Sequence, residues 1–230
     1  MCKRAELSPR CTSRKRRFES RRKGRVMNGI PLVGEPAPDF AAAAYHDCCE
    51  VELTLSQYRG WWVVLIFYPG DFTCVCPTEI AAAAVKYPAF RELGAELLAV
   101  SSDPVEVHRD FQEQVLVGMV HGGARFPLVA DPIGRIGSLY GVHDSHLQMH
   151  LRSHFIIDPA GVIQSLQVVA APLGRSITEI LRQLRALKEH QASGHMIPCG
   201  WEPGRATLPE KDTSGERTKS WETWKPREAF

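Results

Sequence analysis

WWVVLIFYPGDFTCVCPTEI, residues 61–80, is the stretch of the sequence that decides the fold. Its first part, Trp61 to Phe67, is a continuous run of apolar residues that is typical of a strand buried on both faces of a sheet. Residues 78–92 follow with helical patterning. Pro77 suits the first turn of a helix. The stretch therefore predicts a central strand, a loop, and a helix that begins near Cys76.

Alternating strands and helices continue beyond this unit. The turn Pro159-Ala160-Gly161 joins two apolar runs as a hairpin, and the last helix is amphipathic. This order of elements predicts an α/β fold with three layers. The further predicted strands are residues 96–101, 126–130, 155–158 and 162–169, and the further predicted helices are residues 105–117 and 176–190.

Composition excludes several classes of protein. The chain has 230 residues, of which 44% are hydrophobic and 23% are charged, so it can bury a core in one domain or at most two small ones. The longest apolar run, Trp61 to Tyr68, is far shorter than the roughly 20 residues that cross a bilayer. The 7 cysteines are too sparse for a disulfide-scaffolded domain, which favours catalytic, redox or buried thiols.

The first 25 residues are strongly basic, whereas the rest of the chain is mildly acidic. Residues 1–25 carry eleven Lys or Arg and two Glu, a net charge of +9, which leaves −7 for the rest of a chain whose total is +2. We expect a basic disordered extension (1–26), a folded domain (27–190) and an extended C-terminal tail (191–230). A mildly acidic body is not suited to binding nucleic acid.

The basic extension leaves three explanations open. It suits an organellar transit peptide, a nucleic-acid arm, or a start codon assigned too early, since Met27 begins the first segment that resembles a folded domain. It has no apolar segment of the kind that directs secretion. We expect a cytoplasmic protein, with organellar targeting left open.

Cys76 is the candidate nucleophile because of its place at the predicted start of a helix. Backbone N–H groups and the positive end of the helix dipole stabilise a thiolate there, and the thiolate is the reactive form of cysteine. Thr73 can offer its hydroxyl to the sulfur or to a bound oxygen substrate. Pro69 would shape the loop and restrict water. These residues predict nucleophilic sulfur chemistry.

Pro69-x-x-x-Thr73-x-x-Cys76 resembles the active-site motif of the peroxiredoxins, and the surrounding residues are similar to the typical two-cysteine subgroup, which includes the alkyl hydroperoxide reductase C proteins. The resemblance implies a thioredoxin-like three-layer fold with a central mixed sheet. It also implies a thiol-dependent peroxidase that reduces hydrogen peroxide and organic hydroperoxides through a cysteine sulfenic acid, without a cofactor or metal. Similar blocks follow in the family's order at residues 30–40, 100–103, 126–131 and 155–159.

The resemblance also assigns roles to residues. Cys76 is then the peroxidatic nucleophile, Arg152 the catalytic guanidinium, and Glu79 a carboxylate that orients arginines. The backbone N–H groups of Val75 and Cys76 are further candidate donors to the developing negative charge. Taken without the motif, Arg152 reads as a solvated surface residue and Glu79 as a first-turn carboxylate that interacts with the helix dipole.

The candidate resolving cysteine departs from the family's pattern. Aligned on Trp201-Glu202-Pro203-Gly204, the usual resolving position is Ile197, whereas Cys199 lies two residues later. We expect Cys199 to act as a displaced resolving thiol, and a one-cysteine peroxidase that uses an external thiol is the alternative. Among the other cysteines, we expect Cys74 to be a buried spectator and Cys48-Cys49 to lie in the first hairpin turn.

Partners follow from the resemblance too. It implies a thioredoxin-like or flavoprotein disulfide reductase as electron donor, and a homodimer that can assemble into a ring; neither membrane nor nucleic acid is expected. A general disulfide oxidoreductase would need Cys-x-x-Cys, and the chain has Cys-x-Cys; an oligomeric holdase chaperone is the rival outside enzymes. Four histidines in one polar stretch resemble a set of metal ligands, but we expect this stretch to be a solvated loop. They are His143, His146, His150 and His154.

Overall fold

The computed structural model describes residues 31–211 and 215–225. The predicted basic extension, residues 1–26, lies outside the described residues, and so does Met27. Within the described part of the chain, none of the helices is both long and apolar enough to span a membrane.

Strands and helices alternate through the first half of the described chain. The strands are β1 (Ala41–His46), β2 (Cys49–Thr54), β3 (Trp62–Phe67), β4 (Ala95–Ser101), β5 (Leu128–Ala130), β6 (His143–Asp144), β7 (Met149–His150), β8 (Arg152–Ile157) and β9 (Ile163–Val169). The helices are a 3₁₀ turn (Leu55–Tyr58), α1 (Cys76–Glu92), α2 (Val105–Phe111), a π-helical segment (Gln112–Leu116), α3 (Val117–Met119), α4 (Arg135–Leu139), α5 (Ile177–Ser193) and α6 (Ser220–Thr223).

Seven strands form one mixed sheet in the order β2-β1-β5-β4-β3-β8-β9. The central strand β3 pairs in parallel with β4 and antiparallel with β8, and all six of its residues are buried. Burial on both faces is what its continuous apolar run predicts, and the prediction of a central mixed sheet is confirmed.

Alternate residues of β3 point to opposite layers. Val64 and Ile66 pack under α1 and α5, whereas Leu65 and Phe67 pack on the side of α4. Each buried side chain of this size stabilises the fold by about 1.5–3 kcal/mol relative to exposure. The three-layer prediction is therefore correct, and β3 is the strand that carries both cores.

Two element boundaries differ from the prediction in ways that matter below. The predicted helix 105–117 is divided into α2, a π-helical segment and α3. Strand β8 begins at Arg152 rather than at residue 155. Its first three side chains are polar, which concealed the strand from a search for apolar runs.

Trp201 anchors the C-terminal tail to the domain. Trp201 is only 4% exposed, and its backbone carbonyl accepts a hydrogen bond from Arg182 of α5 at 2.8 Å. Met196 and Leu208 form an isolated β-bridge on either side of that anchor. Trp221, in contrast, is 74% exposed. The tail thus docks at Trp201 but not at Trp221.

Candidate active site

Cys76 is the first residue of α1, with Val75 as the N-cap and Pro77 in the first turn. Its side chain is fully buried, and its Sγ accepts a hydrogen bond from Nη1 of Arg152 at 3.2 Å. The helix therefore begins at the cysteine itself. The first N–H groups of a helix lack intrahelical partners, so they and the adjacent guanidinium both favour a negatively charged sulfur.

Arg152 reaches this sulfur from the first position of β8, next to the central strand. Its Nη1 also donates to Oε2 of Glu79 at 2.7 Å, and its Nε donates to the carbonyl of Ala171 at 2.6 Å. The side chain is 4% exposed. With three acceptors around it, the guanidinium is fixed in place before any substrate arrives.

Glu79 is bound by a second arginine that sequence reasoning missed. The backbone N–H and the Nε of Arg175 each donate to Oε1 of Glu79 at 2.7 Å, and Nη2 donates to Oε2 at 3.0 Å. Nη1 of Arg175 donates to the carbonyl of Ser153. Arg175 lies in a loop, one residue before the N-cap Ser176 of α5, where neither periodicity nor the motif distinguishes it from a surface arginine.

The two arginines keep Glu79 ionised. Burial alone would raise the pKa of Glu79, but the hydrogen bonds and charge of Arg175, and then the charge of Arg152, outweigh burial and lower the pKa below its usual value. Glu79 is therefore a buried anion between two buried cations. The predicted residues Cys76, Arg152 and Glu79 do meet, with Arg175 as the fourth member of the cluster.

The loop before α1 holds the remaining predicted residues. The hydroxyl of Thr73 donates to the carbonyl of Gly70 at 3.1 Å. Among the described residues, no hydrogen bond joins this hydroxyl to the sulfur of Cys76. Its oxygen retains lone pairs for a ligand. Pro69 is half-buried at the beginning of the loop, directly after Tyr68.

A buried polar network supports this loop. It consists of Tyr68, Asp71, Asp103 and His108. The hydroxyl of Tyr68 donates to Oδ1 of Asp71 at 2.7 Å, and Oδ2 of Asp71 lies 2.7 Å from Nδ1 of His108. The backbone N–H of Asp71 donates to Oδ2 of Asp103 at 2.7 Å. The network joins the loop to β4 and α2. Sequence reasoning missed it because its members are far apart in the chain.

The other described cysteines correct one prediction. Cys74 is exposed, not a buried spectator, because the last loop residues before α1 turn outward. Cys48 lies in the turn between β1 and β2, and Cys49 begins β2; both are exposed. Cys199 is exposed on the tail, two residues before the buried Trp201. Cys49, Cys74, Cys76 and Cys199 are free thiols.

The histidine-rich stretch is not a solvated loop, which is a second correction. His150 is 1% exposed and His154 is fully buried, whereas His146 is exposed at the tip of the β6–β7 hairpin. His154 is on the face of β8 that carries Arg152, since strand residues two apart share a face. The polar sequence concealed two core positions.

A sulfur shielded from water and held against a fixed cation suits attack on a peroxide O–O bond, because the leaving oxygen gains negative charge beside the same donors. Fold and site together define a thiol-dependent peroxidase.

Comparison with known proteins gives the family. The AhpC/TSA family matches residues 33–166. The chain is 44% identical to the selenocysteine-containing peroxiredoxin PrxU of Peptoclostridium acidaminophilum over 86% of this chain and 98% of that protein. It is 40% identical to peroxiredoxin-2 of Macaca fascicularis over 83% of this chain and 97% of that protein. The chain therefore belongs to the AhpC/TSA family and is a peroxiredoxin.

Solved structures agree. The reduced 2-Cys peroxiredoxin of Plasmodium vivax matches with a TM-score of 0.72 and 36% identity, covering 76% of this chain and 91% of that one. AhpC of Enterococcus faecalis matches with a TM-score of 0.68 and 30% identity, covering 74% and 99% respectively. The predictions of a thioredoxin-like fold and of a thiol-dependent peroxidase are confirmed.

Proposed function

We propose that Cys76 is the nucleophile that reduces hydrogen peroxide and organic hydroperoxides. Its thiolate attacks one peroxide oxygen, an S–O bond forms, and the O–O bond breaks. The leaving hydroxide or alkoxide takes a proton and departs as water or alcohol, and Cys76 becomes a sulfenic acid. The 3.2 Å contact between the sulfur and Arg152 is the observation that carries this proposal.

The other site residues then act through position and charge. Arg152 binds the peroxide and stabilises the negative charge that develops on its oxygens, together with the backbone N–H groups of Val75 and Cys76. Thr73 offers its hydroxyl oxygen to the peroxide, and Pro69 limits the entry of water. Glu79 does not react; it holds Arg152 in its position.

Cys199 is proposed as the resolving thiol. It condenses with the sulfenic acid of Cys76, which forms a disulfide and releases water. Because Cys76 is buried and Cys199 is exposed, the first turn of α1 must open before the sulfurs meet. Arg182 supports the role of Cys199, since it holds the backbone of Trp201, two residues after the thiol.

The electron donor and the assembly are proposed from the family. A thioredoxin-like or flavoprotein disulfide reductase would regenerate the thiols, and the chain would act as a homodimer that can assemble into a ring. The similarity to the reduced 2-Cys peroxiredoxin of Plasmodium vivax supports a two-thiol cycle. The cytoplasm is the proposed compartment.

Oxidation by one equivalent of hydrogen peroxide tests the proposal. The reduced full-length protein should form a Cys76–Cys199 disulfide, seen by peptide mass mapping and as a dimer on a non-reducing gel. Cys199→Ser should react once at an unchanged rate and then hold a sulfenic acid that a dimedone probe labels. Cys74→Ser, at the neighbouring exposed thiol, is the matched control and should behave as the parent.

Two results would contradict different parts of the proposal. Labelling of another cysteine in Cys199→Ser would remove Cys76 as nucleophile. A parent disulfide from Cys76 to Cys74, Cys48 or Cys49 would leave the nucleophile intact but remove Cys199 as the resolving thiol.

A further inference from the structure

The β6–β7 hairpin brings two imidazoles together on the α4 side of the sheet. His143 and His150 are direct cross-strand partners, and their Nδ1 atoms lie 3.4 Å apart. His150 is 1% exposed, and His143 is half-buried. The ring of His150 contacts Phe67, which belongs to the core layer opposite to that of Cys76. The pair is therefore separate from the peroxidase site.

The separation of the two ring nitrogens is informative. Hydrogen bonds that nitrogen donates have heavy-atom distances of about 2.7–3.2 Å, so 3.4 Å is long for a bond between the rings. When two imidazole nitrogens bind the same zinc ion in tetrahedral geometry, each at about 2.0–2.1 Å from the metal, the two nitrogens lie about 3.3–3.4 Å apart. The observed spacing between His143 and His150 matches this second arrangement.

A carboxylate lies behind one of the rings. Oδ2 of Asp131 is 3.2 Å from Nε2 of His150 and accepts the backbone N–H of Gly137 at 2.8 Å. The contact is a charge contact without hydrogen-bond geometry, because Nε2 of His150 has no hydrogen-bond partner among the described residues. The nearby negative charge still favours a proton on Nε2, which leaves the Nδ1 lone pair available.

Two glycines make room for the rings. A Cβ atom on Gly137 would overlap Nδ1 of His150, and a Cβ atom on Gly134 would overlap the ring of His143. The imidazoles thus rest directly on the backbone at α4. Their positions are set by the fold rather than by free rotation of two surface side chains.

We propose that His143 and His150 bind a divalent transition-metal ion of the Zn²⁺ or Cu²⁺ class through their Nδ1 atoms, with Asp131 orienting His150. Imidazole suits both ions. Residues 31–211 and 215–225 offer no set of three or more ligating side chains, so water completes the coordination and the ion exchanges readily. The site stands on the opposite side of the sheet from the chemistry and needs no redox step.

Zinc titration of the reduced full-length protein tests the site. Zn²⁺ is added in competition with a chromophoric chelator, and ¹⁵N imidazole spectra report which ring nitrogens change. The parent should bind one Zn²⁺ more than His143→Leu, with shifts at Nδ1 of His143 and His150. His121→Ala, at an exposed histidine elsewhere, should bind as the parent does.

Further variants separate ligation from folding. Asp131→Asn should weaken Zn²⁺ binding by about 10–100-fold while the imidazoles remain. Gly137→Ala should displace His150 and abolish the site. His143 is half-exposed, so His143→Leu should retain the circular dichroism spectrum and peroxidase activity of the parent. Equal zinc stoichiometry in the parent and His143→Leu, or no change at either Nδ1, would overturn the proposal and leave a pair of packed imidazoles.

Discussion

Cys76 and Cys199 occupy regions of opposite character. Cys76 is buried at a helix N-terminus, where Arg152 donates to its sulfur and where Arg152 and Arg175 both donate to Glu79. Cys199 is exposed on a tail that is anchored at the neighbouring Trp201. If the two thiols act as proposed above, the contrast indicates that peroxide reduction at Cys76 depends on a geometry built in advance, whereas resolution by Cys199 depends on movement.

The largest effect is expected when the thiol of Cys76 is removed and a thiol is placed at the neighbouring position instead. Cys76→Ser should lower peroxide reduction by on the order of 10³-fold or more, because a hydroxyl does not supply an anion near neutral pH. Adding Val75→Cys in that background should restore nothing, since a thiol one residue earlier no longer faces Arg152. Peroxide consumption by stopped flow measures both. Restored turnover in the double variant would show that the buried geometry is dispensable.

Removing the anion of the cluster is the next largest change. Glu79→Gln leaves Arg152 and Arg175 buried without a counter-charge, which should cost about 3–5 kcal/mol of unfolding free energy. The rate of Cys76 oxidation should fall on the order of 10²-fold as Arg152 loses its position. Urea unfolding and single-turnover kinetics report the two effects.

Glu92→Gln is the control for this change, because Glu92 is an exposed carboxylate in the last turn of the same helix. It should leave both quantities unchanged. Parental rates in Glu79→Gln would show that Arg152 needs no carboxylate to stay in place.

His154 is buried on β8, where the charges of Arg175, Glu79 and Glu179 act on its ring. Burial, and then the charge of Arg175, lower its pKa from 6.5 to about 4. The fold thus favours the neutral ring, and the stability this gives is complete above pH 6.5 and is lost as the pH falls towards 4. The loss at pH 4 should be about 3 kcal/mol.

His154→Leu removes that dependence. Both ring nitrogens lack hydrogen-bond partners among the described residues, so leucine should also raise stability at neutral pH. Denaturant unfolding between pH 7 and pH 4 compares the parent, His154→Leu, and His121→Leu as an exposed control. Parallel pH curves for the parent and His154→Leu would contradict this account.

Moving the second thiol should have a small effect. In Ile197→Cys combined with Cys199→Ser, the thiol occupies the family's usual position on the same tail. Turnover with a thioredoxin-type reductant should stay within about ten-fold of the parent, because a tail segment can shift by several Å. Steady-state assays measure it, and Cys199→Ser alone is the inactive reference. A double variant as slow as Cys199→Ser would show that the tail is as demanding as the nucleophile's site.

Deleting residues 1–26 should change least. The hydrogen-bonded cluster around Cys76 is built from residues 76–175 of the described chain, so peroxidase activity should remain within about two-fold of the full-length chain. The same coupled assay on both proteins decides this. A large loss would place part of the functional unit before Met27.

The sequence predicted what local patterns record. The apolar run of β3 and the Pro-x-x-x-Thr-x-x-Cys motif predicted the central strand and the start of α1, and they identified Cys76 as the candidate nucleophile. Arg152 and Glu79 were found only through the family's order of blocks. Arg175 could not be found, because a loop arginine carries no periodicity and its partner Glu79 is 96 positions away.

Burial of polar residues was the weakest point of the sequence analysis. His150 and His154 read as solvated because their neighbours are polar, yet strand pairing with β6 and β9 encloses them. The prediction for Cys74 was wrong in the opposite sense. Cys74 was expected to be buried near Cys76, but its side chain is exposed. Only the tertiary structure decides such positions.

Glu79 lies three residues after Cys76 on the same helical turn. Its ion pairs therefore hold the first turn of α1 closed, in addition to positioning Arg152. Opening the first turn to expose an oxidised sulfur must pull Glu79 away from Arg175 and Arg152. If Cys76 is oxidised as proposed, the strength of these ion pairs sets how long its sulfenic acid remains in the closed site. During that wait a second peroxide molecule can oxidise it further. One carboxylate thus links the speed of the first oxidation to the enzyme's tolerance of excess substrate.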